Sequence, residues 1–289
     1  MRRVVIFAAV FLLSAGVLSA PAFGKICPRC GRDHLPDPPK TERPPKEKPA
    51  PAPEPKKEPE KEKNEDAETV ESLSVARERF FAPSVEIANA ADAILDRLEE
   101  RYGRPKVWTA FPIYFRRYKG DGVAGYTLYS APVVREVVVY ESLENAVGGT
   151  LDHELTHAFF FYYLNSNFDL FLNEGLAQNS EYRRREALRQ TVFRRYSSGD
   201  FWDLSELYGR NRYDGSLLIY HEGFSVVDFL IGRGGSQWFA AFMEDLVARN
   251  NIDASLRRFY GYKDLKELQD AWRRYIEEGQ NRTTVRAVR

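Results

Sequence analysis

His153-Glu154-Leu155-Thr156-His157, followed after sixteen residues by Glu174 in the run Asn173-Glu174-Gly175-Leu176-Ala177, is the stretch that decides how this chain reads. On a helix, positions i and i+4 lie about 40° apart in azimuth and about 6 Å apart along the axis, so both imidazoles share a face and can grip one metal ion. Glu154, one position after the first histidine, leans across that face toward a metal-bound water, where a general base must sit. The same pattern could be satisfied polar packing on a buried helix. Scarcity argues against that: the chain has 4 histidines in 289 residues, and two fall in this pattern. Val147, Leu151, Leu155, Ala158, Phe159, Tyr162 and Tyr163 recur at helical spacing and predict a buried segment. A metal that satisfies three buried polar groups is cheaper than leaving them unpaired.

The two motifs together resemble the gluzincin branch of zinc metallopeptidases, closest to the bacterial peptidase MA-like group. The resemblance implies that Glu174 is the third ligand of a zinc ion (Zn2+) held with His153 and His157. It also implies that Gly175 and Ala177 are small because their helix packs close to the zinc helix. Asn165-Ser166-Asn167 predicts the turn between the two helices. Further on, Tyr220-His221-Glu222-Gly223-Phe224 resembles the helix that, in this group, carries a tyrosine facing the zinc to stabilise the oxyanion. Tyr220 takes that position and is favoured; His221 is the alternative, but neighbours on a helix point about 100° apart, so only one can face the metal. Some gluzincins place an aspartate four residues after the ligand glutamate to orient a zinc histidine. Here that position is Gln178, whose amide oxygen accepts an N–H with less charge.

The N-terminus is organised differently. Residues 1–24 combine Arg2-Arg3, an apolar run from Val4 to Leu18, and small residues at Ala20 and Ala22, which predicts a secretory signal peptide. The apolar run is shorter than the roughly 20 residues of a spanning helix. Residues 25–34 hold both cysteines of the chain, Cys27 and Cys30, at the spacing of half a zinc ribbon. A local disulfide, a metal site shared with a partner, and a vestigial knuckle all fit. Residues 35–66 are Pro, Lys and Glu with almost nothing apolar, and cannot bury enough surface to offset ordering entropy. They read as a disordered linker.

Residues 67–279 are ample for one core, and 280–289 read as a flexible tail. Ser72–Tyr102 predicts one or two amphipathic helices with a break at Pro83. Val107–Phe115, Gly125–Ser130 and Glu136–Tyr140 predict strands. Either Gly125–Ser130 or Val133–Tyr140 is expected as the exposed edge beside the cleft, where a peptide can add as a strand. Beyond Glu174 the pattern is helical: Leu176 to about Tyr196, with Arg183-Arg184-Arg185-Glu186 on a solvated face, then Leu217–Ile231 and three further helices. Trp238, Phe239, Phe242, Leu246, Leu265, Leu268 and Trp272 are the expected core there. The fold class expected is α+β and zincin-like: a small N-terminal β-sheet with the active-site helix, followed by a mainly helical C-terminal subdomain.

With 42 basic and 42 acidic residues the net charge is zero, which argues against a nucleic-acid partner. The function expected is an exported zinc-dependent peptidase of the periplasm, cell envelope or surroundings. Its substrate is a peptide or protein, Glu154 is the general base, and Tyr220 or His221 is the oxyanion donor. The alternative is a catalytically inactive binding or scaffolding protein on the same fold, attached to the envelope through the N-terminal segment. An intact Glu154 argues against it. No Gly-Ala-Met-Glu-Asn motif is present, so endopeptidase is the default.

Overall fold

The computed structural model describes residues 75–117, 123–209 and 217–287, with side chains described as far as residue 278. The expected signal peptide, cysteine knuckle and Pro/Lys/Glu-rich linker lie outside the described residues. The described residues are α+β, with five strands in one mixed sheet and a mainly helical C-terminal part.

Strands β1 (Val75–Ala76) and β2 (Phe80–Ala82) precede helix α1 (Val85–Tyr102). This corrects the reading of Ser72–Tyr102 as one or two helices: the described residues before Pro83 include two short strands, and α1 follows the expected break. Phe80 is fully buried because β2 pairs in parallel with β3 (Phe111–Phe115), Phe80 opposite Phe111. The helix starts only after Pro83, where the Ser84 hydroxyl accepts from the Ile87 N–H at 3.3 Å. The strand expected from Val107 likewise begins later, at Phe111.

Strands β4 (Gly125–Ser130) and β5 (Val133–Val139) complete the sheet in the order β1-β2-β3-β5-β4. β5 runs parallel to β3, and β4 runs antiparallel to β5. Of the two candidates for the edge, β4 therefore takes it and β5 is interior.

After the single turn α2 (Leu143–Ala146), helix α3 (Thr150–Leu164) carries the histidines and packs on β4, β5 and α1. Every residue from Thr150 to Tyr162 is buried, so α3 has no solvent face. It ends at Asn165, which is left-handed at φ 49°. Helix α4 (Leu170–Ser180) follows with Asp169 as N-cap, its side chain accepting from the Phe171 N–H.

Helices α5 (Arg185–Ser198), α6 (Leu204–Leu207), α7 (Leu218–Gly234), α8 (Ser236–Arg249), α9 (Ile252–Tyr260) and α10 (Leu265–Ala287) make up the rest. Three expectations change here. The helix predicted from Leu176 to Tyr196 is two helices, broken at residues 181–184. The tail expected at 280–289 is helical as far as Ala287. Trp238 is not core: it is 47% exposed, its indole donating to the Phe259 carbonyl. Phe239, Phe242, Leu246, Leu268 and Trp272 are buried as expected, whereas Leu265 is only partly buried against them.

Helices α4 and α7 approach most closely at Gly175 and Gly223. A Cβ on Gly175 would lie 2.2 Å from the Gly223 carbonyl oxygen, and one on Gly223 would lie 2.6 Å from the Phe171 carbonyl oxygen. The small residue at Gly175 thus serves the crossing with α7, rather than the expected contact with the histidine helix. No helix of the described residues is long and apolar enough to cross a membrane.

Candidate metal centre

One turn of α3 places His153 and His157 side by side, and α4 brings Glu174 against them. The two Nε2 atoms are 3.1 Å apart, and Glu174 Oε2 lies 3.4 Å from the first and 3.7 Å from the second. All three side chains are buried, at 3%, 3% and 1% exposure. Among the described residues these three form the group able to hold a metal ion, and His221 is not part of it.

Hydrogen bonds on the far side of each ring fix the tautomers. His153 Nδ1 lies 2.8 Å from Glu181 Oε1, and His157 Nδ1 lies 2.8 Å from Asn173 Oδ1. A carboxylate and an amide oxygen accept, so both Nδ1 atoms carry protons and both Nε2 lone pairs turn inward. Two lone pairs 3.1 Å apart beside a carboxylate oxygen repel unless a proton or a cation sits between them. Bonds of about 2.0–2.2 Å meeting at a tetrahedral centre would separate ligand atoms by about 3.3–3.6 Å, close to the three edges seen. The donor set and its spacing fit a metal.

The electrostatics agree. Burial works to lower the His153 pKa, but hydrogen bonds to Glu174 and Glu181 and the charges of Glu181 and Glu154 outweigh it and push it up to about 10. His157 is lowered by burial despite the Glu174 charge. Against its burial, the charge of His157 and the hydrogen bonds to both histidines hold Glu174 below the ordinary carboxylate range. The site therefore favours a positive charge at its centre.

Glu154 stands beside this group without belonging to it. It is fully buried, and burial together with the Glu174 and Glu181 charges raises its carboxyl to about 8, against the opposing pull of His153 and Thr127. The Thr127 hydroxyl lies 2.8 Å from the Glu154 carbonyl oxygen and 2.9 Å from its Oε2. Oε1 has no hydrogen-bond partner among the described residues. β4 reaches this glutamate because Gly125 has no side chain: a Cβ there would lie 2.7 Å from Thr150 Cγ2 and 3.1 Å from Glu154 Cγ.

Glu181 is the residue that sequence reasoning missed. Gln178 does not accept from an imidazole; its amide donates to Glu181 Oε1 at 2.7 Å, the same oxygen that takes His153 Nδ1. The full negative charge that Gln178 was expected to lack is supplied three residues later. Because α4 ends at Ser180, Glu181 caps the helix and turns its carboxylate back under His153, where Arg184 holds the other oxygen at 3.2 Å. Helical periodicity gave no signal for it, because Glu181 lies past the last helical residue of α4. We expect Glu181→Gln to weaken metal affinity roughly 10–100-fold without altering the circular dichroism spectrum. Competition against a chromogenic chelator measures it; unchanged affinity would exclude the role.

On α7, Tyr220 and His221 are both buried. By helical spacing Tyr220 stands about 60° and His221 about 160° from Gly223, the residue that meets α4.

Glu222, next along α7, is buried and accepts from the Trp202 N–H at 3.1 Å. Burial, with Asp200 adding, raises its carboxyl to about 8, against the Trp202 hydrogen bond and the charges of Arg195 and Arg273. In the folded chain it holds its proton up to that pH, whereas an unfolded glutamate loses it near 4.5. Its contribution to stability is therefore present at low pH and is lost as pH rises from about 4.5 to about 8, by at most about 5 kcal/mol. We expect the melting temperature to fall across that window and Glu222→Gln to flatten the fall; an equal slope in the variant would show that another group is responsible.

The chain matches no protein-family model, no curated protein and no solved structure.

Proposed function

We propose that the chain is a zinc-dependent peptidase on a zincin-like α+β fold, exported and acting on peptides or proteins. The observation that carries this is the convergence of two inward Nε2 lone pairs and a buried carboxylate, with a second buried glutamate alongside. A zinc ion held by His153, His157 and Glu174 would supply Lewis acidity and bring the pKa of water toward neutrality.

The chain's own residues supply the rest. Oε1 of Glu154, without a hydrogen-bond partner among the described residues, receives the proton of the attacking water, then returns it to the leaving amine. Thr127 pins Oε2 and so keeps Oε1 aimed. Burial raises the Glu154 carboxyl above the range of an exposed glutamate, which makes its carboxylate a stronger base. Tyr220 is the donor for the oxyanion. β4, the terminal strand of the sheet and in contact with α3, offers its backbone to an extended peptide, which adds without being read for sequence.

The test is hydrolysis of a mixed peptide library, followed by mass spectrometry, with the zinc-loaded full-length chain and its Glu154→Gln variant. We expect cleavage by the wild type, and a loss of roughly 10²–10⁴-fold in the variant with zinc still bound. A variant that cleaves equally well removes Glu154 from the chemistry. No cleavage by a wild type that holds zinc favours a non-catalytic binding protein.

A further inference from the structure

A cavity of about 470 Å³ opens between α1, the start of α3 and the corner joining α4 to α5. Its floor is apolar, formed by Ile94 and Leu98. Three guanidinium groups line its walls, those of Arg97, Arg101 and Arg185. Arg97 and Arg101 are four residues apart on α1 and share a face, an arrangement that destabilises a helix by a few tenths of a kcal/mol for like charges.

One lining carboxylate faces these three cations. It is Asp152, and it is committed: Arg97 Nη2 holds Oδ1 at 2.7 Å and the Gly148 N–H donates to Oδ2 at 2.6 Å. Asp228 comes within 3.9 Å of Arg185, but it is engaged by Arg189 at 3.0 and 3.1 Å. Arg101 spends Nε on the Ser236 hydroxyl at 2.9 Å, and its terminal nitrogens make no hydrogen bond to a described residue. Arg185 Nε is buried and has no partner among the described residues; its Nη2 makes only long bonds of 3.3 Å to Asn179.

Unspent guanidinium donors above an apolar floor are the recognition chemistry of an amphiphilic anion. We propose that this cavity binds a small organic anion, its carboxylate or phosphate head gripped by Arg101 and Arg185 and its apolar part resting on Ile94 and Leu98. Burial, with the charges of Arg101 and Arg189 adding, lowers the Arg185 pKa against the opposing charge of Asp228, which is consistent with a site completed by further negative charge. The assignment stands apart from the metal centre and from the proposed hydrolysis.

The test is calorimetric titration of the full-length chain with phenyl phosphate, benzoate and inorganic phosphate. At least one organic anion is expected to bind saturably at one site per chain, and phenyl phosphate at least tenfold more tightly than inorganic phosphate. Which organic anion wins identifies the head group. Arg101→Gln and Arg185→Gln are each expected to weaken binding at least tenfold, whereas Arg249→Gln, remote from the cavity, leaves it unchanged. Should Arg185→Gln fail to fold, Arg101→Lys keeps the charge and loses the fork, and is expected to weaken binding severalfold. The Nε–Hε resonance of Arg185 provides a readout without substitution and is expected to shift on titration. The proposal is overturned by absence of saturable binding for both organic anions, by unchanged affinity in the Arg101 variants, or by inorganic phosphate binding as tightly as phenyl phosphate.

Discussion

Replacing Glu174 by alanine is expected to take the chain from one bound zinc to none at micromolar metal. Removing one of three ligands forfeits a charge-assisted bond to the metal, and we expect affinity to fall by roughly a thousandfold or more. A second loss is independent of metal. Glu174 is 1% exposed and lies against both imidazoles, so its removal leaves the His153 charge buried without that counter-charge, at a cost of about 3–5 kcal/mol. Glu174→Gln keeps the volume and some hydrogen bonding while surrendering the charge, so it shows how much of each loss is due to charge; the melt in chelator isolates the loss that is independent of metal. Metal content by mass spectrometry, beside a thermal melt with and without chelator, reads both. One equivalent of zinc retained at wild-type affinity by Glu174→Ala would remove Glu174 from the metal site. A wild-type chain that stays empty at saturating zinc would reduce the histidines to packing residues.

Alanine at Gly175 is expected to be the most damaging single methyl in the molecule. The added carbon would meet the Gly223 carbonyl oxygen at 2.2 Å, its carbon at 2.3 Å and its Cα at 2.8 Å. All three are backbone atoms of a helix, so no side chain can swing away, and α4 and α7 must separate instead. Overpacking costs typically 1–3 kcal/mol where neighbours can yield; here we expect about 4 kcal/mol or more, and metal affinity lowered as well because Glu174 is the preceding residue. Gly223→Ala is expected to act in the same direction, with its Cβ 2.6 Å from the Phe171 carbonyl oxygen. By contrast, Gly199→Ala has nothing within 4 Å of its Cβ, so its penalty comes only from φ +75°, about 1 kcal/mol. Denaturant melts of the three variants give the comparison, and equal stabilities would mean that α4 and α7 do not approach this closely.

Part of the candidate site was legible in the sequence. Helical periodicity places His153 and His157 on one face, whereas Glu174 was reached only through the resemblance of its motif to the gluzincins, and the structure brings it against both rings. The boundaries of strands and helices were less legible where tertiary pairing overrode local pattern. Phe80 and Phe81 look helical beside the apolar positions of α1, yet β3 supplies backbone partners that make Phe80–Ala82 a strand. Trp238 looks like core from its neighbours Phe239 and Phe242, but its azimuth on α8 leaves it 47% exposed.

What the sequence by itself determined is therefore local: two imidazoles on one helical face, a glutamate between them, and a helical second half. Each follows from the fixed geometry of a helical turn, which needs no partner to be read. What only the tertiary structure decided involves residues distant in the chain or placed by an irregular end. Glu181 reaches His153 because α4 stops at Ser180, β4 becomes the edge because β5 pairs with β3, and Gly175 meets Gly223 because α7 crosses there. No periodicity encodes those meetings, since they depend on how helices and strands pack against one another.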